Sequence, residues 1–77
     1  MYYQVVSLSI VDFFDYFKSL KDAKQFVMKY CPEDHAVIRH FNVRRKVTRI
    51  TSYYPSFGFE TKSIKKIREE YNNNSLV

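Results

Sequence analysis

The chain has 77 residues, with 13 Lys and Arg against 8 Asp and Glu, a net charge of +5. That length supports one thin hydrophobic core, and a 45% hydrophobic, 18% aromatic composition excludes a disordered polymer. No apolar run approaches the ~18 residues of a membrane helix, and the single glycine, Gly58, excludes the Gly-rich loops that cradle phosphates, so neither a membrane partner nor a cofactor is expected.

Tyr2 to Val11 is rich in Val, Ile and Tyr, alternates in polarity and contains neither proline nor glycine, which predicts a strand. No Lys or Arg precedes Lys18, so the start of the chain lacks the basic segment of a secretory signal. Together with a lone cysteine, Cys31, this favours a reducing, cytoplasmic setting. Asp12 to Phe17 reads either as a continuation of the strand or as a turn.

Ser19 is a good N-cap and Asp22, three residues on, places an acid in the first turn of a helix. Leu20, Ala23, Phe26, Val27 and Tyr30 follow at helical spacing, and Pro32 ends the helix just after Cys31. From His35 to Tyr54 two readings compete. Ala36, His40, Val43, Val47, Ile50 and Tyr54 recur as on a long helix, whereas Val37, Ile38, Val43, Val47, Thr48, Ile50 and Thr51 are β-branched. The β-branched density favours a hairpin turning near Arg44-Arg45-Lys46, although these residues are not the Asn-Gly or Asp-Gly of a tight two-residue turn.

Tyr53 to Phe59 reads as a loop punctuated by Pro55 and Gly58. A second helix follows, capped by Thr61 or Ser63, with Ile64, Ile67 and Tyr71 on its apolar stripe and Lys65–Glu69 and Lys66–Glu70 as i,i+4 pairs. Asn72-Asn73-Asn74 suits a helix end. The expected fold is therefore α+β, in the order β-α-β-β-α. It has a three-stranded, mainly antiparallel sheet with two helices packed on one face, a single domain over residues 1–71 and a frayed tail over 72–77.

Charge is distributed unevenly. Residues 1–34 carry a net −1 and residues 60–77 a net +1, whereas residues 35–59 hold Arg39, Arg44, Arg45, Lys46 and Arg49 with no acid at all. Arginine pairs bidentately with phosphate, and neighbouring tyrosines such as Tyr53 and Tyr54 stack on unpaired bases. The expected function is a small non-enzymatic binding protein that engages nucleic acid, RNA or DNA, through a basic central hairpin. The alternative is an inhibitor or adaptor that docks the same Arg39, Arg44, Arg45, Lys46, Arg49, Tyr53 and Tyr54 surface on an acidic host protein, since Arg and Tyr also dominate protein hot spots.

Other constellations are weaker. Cys31, His35 and His40 follow a C-x3-H-x4-H spacing but supply only three soft ligands, so no metal site is expected. His40 beside Arg39 and Arg49 could serve a metal-free ribonuclease as general acid/base, a third option. The pairs Asp12–Asp15 and Glu33–Asp34 read as helix-start and loop charges. An apolar first strand, if it lies at a sheet edge, invites pairing with a second copy and hence a homodimer. Abundant Tyr, Phe, Lys, Asn and Ile imply A/T-rich codons, as in the small accessory genes of phages and mobile elements.

Overall fold

The computed structural model describes residues 1–8 and 14–75. It contains β1 (Tyr2–Ser7), β2 (Phe14–Phe17), α1 (Leu20–Tyr30), β3 (Ala36–Phe41), β4 (Val47–Tyr54), β5 (Gly58–Ser63) and α2 (Ile64–Ser75). The strands form one antiparallel sheet in the order β2-β1-β3-β4-β5. The class is α+β, but the sheet has five strands where three were expected. The two additional strands are the short Phe14–Phe17, drawn out of the segment read as strand or turn, and Gly58–Ser63, drawn out of the supposed loop and helix cap. The part of the first predicted strand beyond Leu8 lies outside the described residues, as does the Asp12 half of the Asp12–Asp15 pair.

Strand register separates the side chains into two faces. Tyr3, Val5, Ser7, Phe17, Ala36, Ile38, His40, Arg49, Thr51, Tyr53, Phe59 and Thr61 share one, because they are aligned in pairs across the five strands. Helix α1 covers this face over β1, β2 and β3. Its Ala23 and Val27 meet Val5, Cys31, Ala36, Ile38 and Tyr53 in the buried core, and Leu20 and Phe26 pack at the margin. The Ser19 hydroxyl accepts from the Asp22 amide at 3.1 Å, so the predicted cap is present. At the other end the Cys31 amide donates to the Val27 carbonyl before Pro32 turns the chain away.

Helix α2 packs against β4 and β5 on the opposite face, so the helices do not share a face as expected. The reason lies in β5: the helix starts directly after Ser63, whose hydroxyl caps the Lys66 amide at 3.1 Å, and folds back over Ile50 and Lys62. Ile64 and Ile67 are half-buried there, whereas Tyr71 is 72% exposed and off the stripe assigned to it. Glu70 takes the inward position instead and pairs with Lys62 at 3.0 Å, rather than with Lys66. The helix also runs through the three asparagines to Ser75 instead of ending at them. The two helices are therefore staggered, α1 over β1, β2 and β3 and α2 over β4 and β5. No helix among the described residues is long and apolar enough to cross a membrane.

Candidate nucleic-acid interface

The hairpin joining β3 and β4 is formed, and its turn differs from a two-residue type. Asn42 and Lys46 close the loop, with the Asn42 amide donating to the Lys46 carbonyl and the Arg45 amide to the Asn42 carbonyl, both at 3.0 Å. The Asn42 side-chain oxygen accepts from the amides of Arg44 and Lys46 at 2.9 and 3.1 Å. Arg45 takes φ 61°, the left-handed conformation that three-residue loops use after a type I turn. A single asparagine thus organises Val43-Arg44-Arg45, and that local hydrogen bonding replaces the Asn-Gly signal absent from the sequence.

Arg44, Arg45 and Lys46 are all exposed on this turn. Among the described residues the ion pairs within 4 Å are those of Lys62 with Glu60 and Glu70, so no carboxylate neutralises the tip. Arg39 and Arg49, by contrast, fall on opposite faces. Arg39 is aligned with Gln4 and Ile50, while Arg49 is aligned with His40. The five cations are therefore not one surface: Arg39 lies on the face away from α1, Arg49 on the α1 face, and the other three on the turn beyond the strand ends.

The tyrosines assigned to stacking are occupied otherwise. Tyr53 is 4% exposed in the core, its hydroxyl donating to the Pro32 carbonyl and its ring tilted against Phe59. Tyr54 is stacked with both His35 at 4.3 Å and Phe57 at 5.3 Å. The aromatic surface that is available lies elsewhere. On the face away from α1, the part that α2 leaves open carries Tyr2, Phe14, Tyr16 and Phe41 together with Gln4 and Arg39. The Arg39 Nη1 donates to Gln4 Oε1 at 3.3 Å, and Gln4 Nε2 donates to the Tyr16 hydroxyl at 3.2 Å, a polar strip across three strands.

Sequence reasoning missed this surface because its rings come from three separate segments. The available signal was β1 itself, in which both alternating sets, Tyr2-Gln4-Val6 and Tyr3-Val5-Ser7, contain aromatic or apolar residues. A strand with one wet polar face does not read that way. Strand β1 is also interior, flanked by β2 and β3, so the sheet-edge route to a homodimer through Tyr2–Val6 is not available.

The histidines and the cysteine lie apart. Cys31 is buried at the end of α1, where burial first and the Asp34 charge second push its thiol pKa up. His35 is stacked on Tyr54, and His40 sits on the α1 face. Its Nε2 is 2.7 Å from Thr51 Oγ1, which in turn is 2.6 Å from Thr61 Oγ1. Burial, then the charges of Arg49 and Lys24, hold the His40 pKa below the usual histidine value, so the ring is kept neutral beside two cations. Among the described residues no cluster of three His, Cys, Asp or Glu is arranged to hold a metal ion.

No protein-family model matches the chain, and no curated protein or solved structure is significantly similar to it.

Proposed function

We propose that the protein binds nucleic acid, with phosphates contacted by Arg44, Arg45 and Lys46 at the hairpin tip and by Arg39 on the adjoining open face. The observation that carries this reading is the tip: three exposed cations on a turn beyond the ends of β3 and β4, with no carboxylate on them among the described residues. Arg39 extends the same positive field along the sheet, and residues 35–59 contain no acid to oppose it. Arg49, on the α1 face, is outside this footprint.

The test is binding of mixed-sequence RNA and DNA oligonucleotides measured against salt. Counterion release predicts a log–log slope of about −0.7 to −0.9 for each phosphate contacted. The combined Arg44→Ala, Arg45→Ala and Lys46→Ala variant should reduce the magnitude of that slope by about 2 to 3, while changing stability by no more than about 0.5 kcal/mol. Absence of oligonucleotide binding at low salt overturns the proposal and leaves the acidic-protein alternative, which would use the same tip.

A further inference from the structure

Four rings form a continuous ladder across the open face. Phe14 meets Tyr16 edge-on at 6.1 Å, Tyr16 is tilted against Tyr2 at 5.9 Å, and Tyr2 is stacked on Phe41 at 4.6 Å with an interplanar angle of 6°. Phe14 and Tyr16 remain 56% and 53% exposed. In a domain with so small a core, leaving aromatic rings in water on an open sheet face gives up burial that folding could have used, and such patches mark binding surfaces. The ladder ends at Phe41, and the next residue is Asn42, which builds the cationic tip.

We infer that this face is a stacking platform for unpaired bases, so that the ligand is single-stranded nucleic acid whose bases lie on the exposed rings of Phe14 and Tyr16, beside the mutually stacked Tyr2 and Phe41, and whose phosphates run on to Arg39 and the tip. The inference rests on the nucleic-acid reading above and goes further, since phosphate contacts alone do not distinguish a duplex from a single strand. Bases of a duplex are already stacked on one another and do not present their faces to surface rings, whereas splayed bases offer their faces to aromatic side chains. Beside the rings, the amide of Gln4 and the guanidinium of Arg39 add polar groups to the same face, hydrogen-bonded to each other and to the Tyr16 hydroxyl. A second copy of the chain fits less well. Isologous pairing of this face would bury the Arg39 guanidinium of both copies, which no ion pair among the described residues neutralises.

The experiment compares a labelled single strand of about twelve thymidylates with an abasic strand of the same length and charge, by fluorescence anisotropy at one low salt concentration. The wild-type chain should prefer the base-bearing strand by about tenfold or more, as expected for stacking on one or more rings. Tyr16→Leu combined with Phe14→Leu, which keeps strand-compatible side chains but removes both exposed rings, should bring the two affinities together. Tyr16→Phe should retain the preference. Circular dichroism of each variant checks that the sheet persists, and a variant that fails this check is replaced by Tyr16→Leu alone, judged by the same criterion. Equal wild-type affinity for the two strands, or a preference that survives loss of the rings, overturns the stacking inference while leaving phosphate binding intact. If neither strand binds, the broader nucleic-acid reading fails, and the platform fails with it.

Discussion

His40 Nε2 lies 2.7 Å from Thr51 Oγ1, and both side chains are buried, at 7% and 0% exposure, as diagonal neighbours on β3 and β4, where His40 is aligned with Arg49 and Thr51 with Ile38. Tyr3 meets the imidazole edge-on at 5.0 Å. Protonation would therefore place a charge in a desolvated site beside Arg49 and Lys24, the groups that depress its pKa after burial itself. Because the folded pKa is below the unfolded value near 6.5, the unfolded chain binds more protons between the two, and stability rises with pH through that window. The contribution is fully present above about pH 6.5 and is lost as pH falls toward the folded pKa. Thermal melts from pH 7.5 down to 5 should show a falling Tm, with a shallower fall in His40→Gln. Parallel curves for the two proteins would refute the assignment to His40.

Asn42 holds the hairpin turn with two side-chain hydrogen bonds to the amides of Arg44 and Lys46. Asn42→Ala removes both acceptors, so a loss of about 1–2 kcal/mol is expected at about 0.5–1.5 kcal/mol per bond. Urea denaturation would detect it as a lower midpoint with an unchanged slope. An unchanged midpoint would mean that water replaces the asparagine without penalty.

Arg45 has the opposite sign of effect. Its φ of 61° is disfavoured for a side chain with a Cβ and open to glycine. Arg45→Gly should stabilise the fold by about 0.5–1 kcal/mol and at the same time weaken oligonucleotide binding by removing one cation. Stability and affinity moving in the same direction would contradict this separation of roles.

Ile38 is the central side chain of the core, fully buried on β3. Ile38→Ala should remove about 3–4 kcal/mol, within the range for buried aliphatic truncation, a large share of what a domain of this size possesses. Ile67→Ala, in the half-buried contact under α2, should be milder. Chemical denaturation of the two variants side by side reads the ranking directly, and a reversed order would mean that the α2 side carries more of the stability than the α1 side.

Cys31 is 1% exposed, and its thiol pKa is raised by burial and by Asp34. The reactive species is the thiolate, so aromatic disulfide reagents at pH 8 should modify it slowly in the folded protein and rapidly in urea. Fast reaction under native conditions would show that the end of α1 opens readily.

Much of this architecture was legible from local pattern. Ser19, Asp22 and the Leu20-to-Tyr30 stripe announced α1, and β-branched density between Val37 and Thr51 announced the hairpin. What escaped was non-local. Phe14–Phe17 carries no clean alternation because an edge strand with one uncovered side has little to hide, and its strand character comes from pairing with Tyr3 to Val6. Gly58–Ser63 is polar and short, and becomes a strand because β4 offers a complete row of partners from Arg49 to Tyr54. The placement of α2 follows from where β5 ends, which no propensity reveals. Arg39 and Arg49 illustrate the same point for the site: ten residues apart, they appear equivalent on paper, yet the irregularity between His40 and Phe41, opposite Arg49 to Val47, and the alternation of the pleat send them to different sides.

The staggered arrangement of α1 and α2 carries a consequence for how the molecule opens. Each flank of the sheet is roofed once, on alternate sides, α1 over β2, β1 and β3 and α2 over β4 and β5, and β3 is the middle strand, paired along both edges. Amide protons of β2, and of the outer side of β5, should therefore exchange with deuterium early, and those of β3 last, at a rate set by global unfolding. The strand that holds Phe14 and Tyr16 would then be the one able to detach and re-form without dismantling the centre, giving those two rings freedom to adjust to whatever lies on them.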